Sequence, residues 1–172
     1  MSNYSINQIK TYDVLIQKYF VDRRLPYDWR IMKAQLYQES LLEKDARSNA
    51  GALGLAQFMP ATWLEVKRDL KLPDNASPFH PESAIHGACY YMMELYCKWT
   101  AERLQIDRYC LALASYNAGM GNIVKAQQLA KSNQYNLIMA KLHHVTGDTN
   151  ALQTRNYVQR ILGFYNKLIT EV

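Results

Sequence analysis

The sequence lacks any apolar run long enough to cross a membrane. No uninterrupted apolar stretch in the 172 residues approaches the roughly 18 residues that a transmembrane helix needs. The N-terminus also lacks the basic and then apolar order of a signal peptide, and residues 4–22 predict an amphipathic helix instead. We therefore expect no stable membrane insertion and synthesis in the cytoplasm; if the chain reaches a periplasm or cell wall, another route must deliver it.

Glycine and proline are scarce, at seven and five residues, and no segment alternates polar and apolar residues for long. With 49% hydrophobic residues, the composition is typical of a globular, helix-rich protein, and the length suits one domain with a real core. Asp107 is a candidate N-cap, Gly87 inside a predicted helix indicates close helix packing, and residues 71–80 predict a surface loop. The predicted helices are 4–22, 27–42, 61–71, 81–104, 107–117, 121–131, 134–145 and 150–170.

Cysteine and histidine are too few and too scattered for a disulfide framework or a metal site. Cys89 and Cys97 lie eight positions apart on one predicted helix, hence about 12 Å apart along its axis, which is too far for a disulfide. With Cys110 the count is three, so we expect buried free thiols. The four histidines do not supply the three or four convergent ligands of a zinc site, so we expect no metal.

Clustered charge is absent as well. The net charge is +5, with Lys and Arg scattered along the chain, and the sequence shows no basic stripe or nucleic-acid-binding motif. We therefore expect no nucleic-acid partner. A basic surface would attract anionic cell-wall polymers or lipid headgroups, although a charge that mainly confers solubility fits the composition equally well.

The stretch from Leu36 to Thr62 is the most informative part of the chain. Met32, Leu36 and Glu39 are spaced i, i+4 and i+7, so a carboxylate shares one stripe with two apolar side chains at the end of a predicted helix. Such an environment raises the pKa of a carboxyl group, as a general acid near neutral pH requires. The pattern therefore indicates a candidate catalytic glutamate.

The segment that follows is rich in small residues. Gly51 and Gly54 allow backbone conformations and close approach that a Cβ would forbid, and Gln57 supplies an amide. Pro60 is suited to begin the next helix. Such a segment beside a glutamate could hold a bulky polar polymer against the backbone, but a helix-terminal glutamate before an ordinary Gly-rich turn fits the pattern about as well.

This stretch resembles the signature of the soluble lytic transglycosylases, lysozyme-like enzymes that cut the glycan strands of bacterial peptidoglycan. Lys44 stands where the family usually has proline, and Ala56 where it usually has methionine; neither change removes a reactive group. The resemblance implies an all-α, compact, single-domain fold of the goose-type lysozyme kind. The matching residues are Glu39-Ser40, Ala46, Ser48, Gly51-Ala52, Gly54-Leu55, Gln57 and Met59-Pro60-Ala61-Thr62.

Two later segments extend the resemblance to about residues 30–165. Tyr116-Asn117-Ala118-Gly119 is similar to a family motif whose tyrosine approaches the catalytic glutamate and the substrate, and core packing is the alternative for Tyr116. Gln153 stands where the family typically has a glutamate that makes polar contacts in the cleft. We predict that residues 1–26 are a helical extension packed on a catalytic domain of residues 27–172.

The resemblance also implies a role for each site residue. Glu39 would be the catalytic acid and base, and Ser48 would form a hydrogen bond with it. No metal or cofactor is required, and we expect a monomer whose partner is the peptidoglycan glycan strand. The substrate-binding residues would be Ser48, Gln57, Met59, Tyr116, Asn117 and Gln153.

Most glycosidases use two carboxylates, whereas only Glu39 lies within the signature. One carboxyl group suffices if it protonates the oxygen between N-acetylmuramic acid and N-acetylglucosamine and then accepts the proton of the muramoyl C6 hydroxyl. That hydroxyl attacks C1 and closes a 1,6-anhydro ring. The alternatives are a hydrolytic goose-type lysozyme in which Asp45 or another acid positions water, and a non-catalytic glycan-binding or virion structural module. A phage endolysin or tail-associated enzyme fits the small size best, with a bacterial secretion or conjugation apparatus as the other source.

Overall fold

The computed structural model describes residues 6–170. Within them no β-strand occurs, and only two isolated antiparallel bridges join extended backbone, at Arg47–Leu53 and Leu53–Phe58. The predicted all-α class is therefore confirmed. The helices of residues 6–170 are α1 (Asp13–Asp22), α2 (Arg30–Ser40), α3 (Pro60–Asp69), α4 (Pro81–Lys98), α5 (Gln105–Ala118), α6 (Met120–Ala130), α7 (Tyr135–Lys141), α8 (His143–Thr146) and α9 (Asp148–Thr170).

These helices form two compact units. The first comprises the described residues up to Tyr91 and from Ile161 onward, and the second runs from Met92 to Arg160. In the first unit α3 packs against α4 at Gly87, where a Cβ would lie 2.9 Å from Val66 Cγ1. The close helix packing predicted from this glycine is confirmed. None of the helices within residues 6–170 is both long and apolar enough to span a membrane.

The first helix is shorter than predicted. It begins at Asp13 rather than at residue 4, and residues 4 and 5 lie outside the described range. The reason is Lys33, which is only 1% exposed. Its ammonium group donates to the Ile9 carbonyl oxygen and lies 2.7 Å from Asp13 Oδ1. Because a buried ammonium needs such partners, the segment before Asp13 keeps its backbone available to Lys33 instead of forming a helix.

Two predictions around the start of α5 were wrong. Helix α4 ends at Lys98 and not at residue 104, because Arg108 Nε donates to the Tyr96 carbonyl oxygen at 2.9 Å and satisfies one of the last helical acceptors. Asp107 is not the N-cap of α5, which begins two residues earlier at Gln105. Its Oδ2 atom instead accepts a hydrogen bond from Tyr135 N, the first residue of α7, at 3.0 Å.

The helix predicted over residues 134–145 is divided into α7 and α8 at Leu142. Arg155 of α9 donates from Nη1 to the Met139 carbonyl oxygen at 3.2 Å. That oxygen is the acceptor that His143 N would use in a continuous helix. The arginine therefore favours the break, and no local sequence pattern marks it.

The three thiols differ in exposure. Cys89 and Cys110 are buried, as predicted, but Cys97 is exposed, so that part of the prediction was wrong. Burial raises the pKa of Cys110 to about 12 and also raises the pKa of Cys89. These two thiols are therefore protonated packing groups at neutral pH.

Candidate active site

Glu39 lies in the last turn of α2 and is half-buried. The same helix buries Met32 and Leu36 completely, so the apolar stripe predicted from their spacing exists and Glu39 continues it at the margin of the core. Helix α2 ends one residue later, at Ser40. The Glu39 carboxylate is therefore partly shielded from water but still partly exposed at the end of the helix.

A sharp turn follows the glutamate. The Ser40 hydroxyl is buried and lies 3.2 Å from the Leu36 carbonyl oxygen and 2.9 Å from the Leu55 carbonyl oxygen. Leu41 and Leu42 both have left-handed backbone conformations, with φ of 56° and 63°. Non-glycine residues adopt this conformation at a cost, commonly near functional sites. Ser40 thus joins the end of α2 to Leu55. Leu55 belongs to the loop that contains Gly51 and Gly54, which we call the Gly-rich loop.

The Gly-rich loop is held by its own backbone. Gly54 N donates to the Ala46 carbonyl oxygen at 2.9 Å, and Leu53 and Phe58 exchange two hydrogen bonds of 3.0 and 3.1 Å. Gly54 has φ of +72°, and a Cβ there would lie 1.8 Å from the Pro78 carbonyl oxygen. Both the conformation and the close approach therefore require glycine at this position.

Gln57 is bound to this loop by its side-chain nitrogen. Nε2 donates to the Gly54 carbonyl oxygen at 2.9 Å and to the Ala46 carbonyl oxygen at 3.4 Å. The side-chain oxygen Oε1 is then the group left to accept from a ligand. Met59 follows directly before Pro60, the first residue of α3, and its side chain is exposed.

Ser48 is exposed in the same loop, and its Oγ atom accepts a hydrogen bond from Ala52 N at 2.9 Å. Because a hydroxyl both accepts and donates, its hydrogen is available to a carboxylate. The hydrogen bond from Ser48 to Glu39 that the resemblance implies stays a prediction.

In the second unit, Tyr116 and Asn117 lie in the last turn of α5, which ends at Ala118. Tyr116 is half-buried and Asn117 is exposed. The chain reverses at Gly119, which has φ of +85°. Gly121 lies two residues later, inside α6.

Asn117 and Gln153 line one polar depression of about 200 Å³. Thr154 Oγ1 donates to Asn117 Oδ1 at 3.0 Å, so the Asn117 amide nitrogen is left to donate to a ligand. None of the lining side chains carries a formal charge. The depression is lined by Asn117, Ala118, Asn122, Thr146, Asn150, Gln153 and Thr154.

The sequence reasoning missed Asn122 and Asn150. Their side-chain nitrogens donate to Ala118 O at 2.8 Å and Thr146 O at 3.0 Å, which leaves each side-chain oxygen available as an acceptor. Asn150 shares a face of α9 with Gln153, three residues later, and that spacing was the signal that could have identified it. Asn122 had no such signal.

The candidate residues thus fall into two groups. In the first unit, Glu39 ends α2, and Ser48, Gln57 and Met59 belong to the loop that Ser40 joins to that helix. In the second unit, Asn117 and Gln153 share the depression, and Tyr116 precedes Asn117 in α5. Besides Glu39, both groups offer neutral hydrogen-bonding atoms.

Residues 6–170 thus form helices without strands, and one glutamate ends a helix beside a Gly-rich loop. The family model for the transglycosylase SLT domain matches residues 22–139. This match covers more than half of the chain, which therefore belongs to that family.

Individual relatives agree with the family assignment. The chain is 31% identical, over 97% of its length, to membrane-bound lytic murein transglycosylase F of Alteromonas mediterranea. It is 36% identical, over 62% of its length, to the protein of the same name from Maricaulis maris. The chain spans 37% and 22% of the lengths of these two relatives.

Solved structures share the fold. The 70-kDa soluble lytic transglycosylase of Escherichia coli matches 92% of this chain with a TM-score of 0.73 and 23% identity. An inactive glutamate-to-glutamine mutant of the lytic transglycosylase Slt from Pseudomonas aeruginosa matches 90% with a TM-score of 0.72 and 24% identity. The chain covers 24% and 23% of those two proteins. The predicted lysozyme-like fold is confirmed.

Proposed function

We propose that this chain is a lytic transglycosylase that cleaves the bond between N-acetylmuramic acid and N-acetylglucosamine in peptidoglycan. The observation that carries the proposal is the position of Glu39, half-buried at the end of α2 and followed by the Ser40 turn. Membership of the SLT family and the relatives named as murein transglycosylases support it.

In this proposal Glu39 acts twice. The protonated carboxyl group first donates its proton to the glycosidic oxygen, so that the leaving sugar departs as an alcohol. The resulting carboxylate then accepts the proton of the muramoyl C6 hydroxyl as that oxygen attacks C1. The bond from C1 to the leaving oxygen breaks, the bond from C1 to O6 forms, and Glu39 ends protonated as it began.

The remaining site residues would bind the glycan strand. Ser48 would donate to the Glu39 carboxylate, and Gln57 would accept through Oε1. Tyr116 and Met59 would line the cleft as the family resemblance implies. The uncharged depression of Asn117 and Gln153 would bind sugar hydroxyl or acetamido groups, which both donate and accept hydrogen bonds.

A hydrolytic lysozyme is the nearest alternative, and it needs a second acid to position water. Asp45, six residues after Glu39, is one candidate, but its side chain is exposed and Oδ2 lies 2.7 Å from Lys44 Nζ. Glu43 is also exposed. Neither carboxylate has the shielded position that Glu39 has, which favours the transglycosylase.

We also propose that residues 1–26 form an extension packed on a catalytic domain of residues 27–172. The contacts that support it come from the described part of that extension. Lys33 binds the Ile9 carbonyl oxygen and Asp13, and Tyr19 donates to Glu82 Oε1 at 2.7 Å.

Action on the cell wall as a monomer, and a phage origin, are further parts of the hypothesis. The relatives are named from bacteria, and the genes neighbouring this one would decide between the two origins.

Replacement of Glu39 by glutamine tests the proposal. We expect Glu39→Gln to retain its fold and to lose about 10²–10⁴-fold in the rate of release of soluble fragments from purified peptidoglycan, because the amide cannot supply a proton. Glu43→Gln, an exposed carboxylate four residues away, is the matched control and should retain the wild-type rate. A folded Glu39→Gln protein with wild-type activity would refute the proposal.

A further inference from the structure

Helix α2 contains three buried polar side chains, which are Lys33, Gln35 and Ser40. The ammonium group of Lys33 forms an ion pair with Asp13. The Ser40 hydroxyl lies 2.9 Å from the Leu55 carbonyl oxygen. Gln35 is only 1% exposed, and its side-chain oxygen Oε1 is buried without a hydrogen-bond partner among the described residues. Gln35 is therefore the exception in this helix.

The unpartnered Gln35 oxygen costs stability. Folding removes this acceptor from water and gives it no replacement donor. A methionine side chain of the same length would fill the space without that cost. Because buried polar groups in native proteins are otherwise paired, we expect a donor to reach Oε1 in some state of the protein.

Glu39 is the donor that the helix brings to Gln35. The two residues are spaced i and i+4 on α2, so they share one face and their Cβ atoms lie about 6 Å apart. Helical side chains point back towards the N-terminus, which directs the half-buried Glu39 carboxyl group towards the turn of Gln35. A carboxylate cannot donate to Oε1, whereas a protonated carboxyl group has one O–H donor. Only the protonated form of Glu39 can therefore satisfy Gln35.

We propose that Gln35 is a positioning residue that keeps Glu39 protonated in the free enzyme, by accepting a hydrogen bond from its carboxyl group through Oε1. A hydrogen bond to the neutral form of an acid favours that form. When substrate binds, the glycosidic oxygen replaces Oε1 as the acceptor of this proton. This role of Gln35 rests on the proposed function, in which Glu39 is the acid.

NMR titration of the Glu39 carboxyl carbon tests the proposal without turnover. The signal is assigned by its absence in Glu39→Gln, and wild type is compared with Gln35→Met between about pH 4 and pH 9. We expect the pKa of Glu39 to be lower in Gln35→Met by about 0.5 to 1, as for loss of one hydrogen bond to the neutral form. Leu36→Met alters the packing of the same helix without removing a polar group, so this control should leave the pKa unchanged.

The pH dependence of kcat/KM on soluble glycan strands is a second readout. Activity requires protonated Glu39, so it decreases as the pH rises through the pKa of the free enzyme. In Gln35→Met this decrease should begin at lower pH, with about three- to tenfold loss on the alkaline side and the wild-type value on the acidic side. A purely structural role would lower kcat/KM equally at every pH. Titratable groups that follow Glu39 or approach it by resemblance are the same in both proteins, namely Glu43, Lys44, Asp45 and Tyr116.

Urea unfolding separates this role from a folding defect. At about pH 9, where Glu39 has lost its proton, Gln35→Met should be at least as stable as the wild type, because it removes a buried acceptor without a partner. Gln35→Leu is a second apolar replacement and should lower the pKa of Glu39 in the same way. An unchanged pKa of Glu39 in both folded variants would overturn the assignment. A raised pKa would also overturn it, since the Gln35 amide would then donate to the carboxylate. Because the titration needs no cleavage, its result is independent of the Glu39→Gln test of the proposed function.

Discussion

At the scale of single residues, Gln153 is the proposed site position where this chain differs from the glutamate that the family resemblance leads us to expect. It is exposed on α9 and lines a depression without charged side chains. A carboxylate placed there would stay hydrated, so its desolvation cost is small. We therefore predict that Gln153→Glu, which restores the usual family residue, changes kcat/KM on glycan strands by less than about threefold.

The control for this change is Gln159→Glu, which adds the same charge to an exposed position of the same helix. If Gln153→Glu loses activity strongly while Gln159→Glu does not, the depression binds substrate differently from the family's cleft. The role assigned to Gln153 by resemblance would then be wrong.

His86 of α4 carries a pH dependence of stability. Arg23 Nη2 lies 2.8 Å from His86 Nε2, and since arginine is always protonated, that ring nitrogen accepts and the imidazole is neutral. Burial first, and then the charges of Arg23 and Lys18, lower the pKa of His86 from its ordinary value of 6.5, while Asp22 and Glu82 oppose them. The unfolded chain thus binds this proton more readily than the folded one.

Stability should therefore fall as the pH decreases from about 6.5 through the lowered pKa of folded His86. We predict that His86→Gln, which keeps an acceptor for Arg23 but cannot titrate, flattens this part of the profile. Urea unfolding at a series of pH values between about 7.5 and 5 measures it. If the free energy of unfolding changes with pH in parallel for the wild type and His86→Gln, His86 does not cause the pH dependence of stability.

At the scale of elements, the Gly-rich loop depends on Gly54. A methyl group there meets the Pro78 carbonyl oxygen at 1.8 Å, whereas at Gly51, with φ of +89°, it would meet no atom within 4 Å. Gly51→Ala should therefore cost only the left-handed conformation, about 1 kcal/mol. Gly54→Ala should cost more than about 2 kcal/mol, because backbone must also move.

Thermal or urea unfolding of the two variants measures this difference. Because the loop carries Ser48 and Gln57 and is joined to Ser40, we also expect Gly54→Ala to lose activity under conditions where it is folded. Equal stability of the Gly51→Ala and Gly54→Ala proteins would contradict the close packing on Pro78.

At the scale of elements, helix ends and helix packing could be predicted where the residues that determine them are close in sequence. The polar residues after Glu39 predicted the end of α2 to within two residues, at residue 42 rather than Ser40, and Gly87 predicted the packing of α4. The early end of α4 depends on Arg108, which lies ten residues beyond Lys98, and the break between α7 and α8 depends on Arg155. Such partners are remote in sequence, so no local pattern contained them.

The same distinction holds within the candidate site. The left-handed backbone at Gly51 and Gly54 could be predicted because both residues are glycines. The left-handed backbone at Leu41 and Leu42 could not be predicted, because it follows from the turn that the Ser40 hydrogen bond holds in place. The burial of Lys33 could not be predicted either, because its partners Ile9 and Asp13 belong to a segment whose sequence predicts a helix. Family resemblance supplied the site residues that spacing alone left open, including Tyr116 and Gln153.

At the scale of the whole molecule, a sugar hydroxyl rather than water completes the proposed reaction. A well-oriented intramolecular hydroxyl has an effective concentration of ~10⁵ M or more, far above that of water. Glu39 is the single shielded carboxylate in the family signature, and Asp45 is exposed and paired with Lys44. The site as described therefore lacks an evident second acid to position water.

Mass spectrometry of the soluble fragments released from purified peptidoglycan tests this claim most directly. The account predicts muropeptides that end in 1,6-anhydromuramic acid, each lighter by one water than the product of a lysozyme and without a reducing end. Digestion of the same peptidoglycan with a hydrolytic lysozyme provides the reference masses. Fragments with predominantly reducing ends would contradict the account and make the chain a hydrolase.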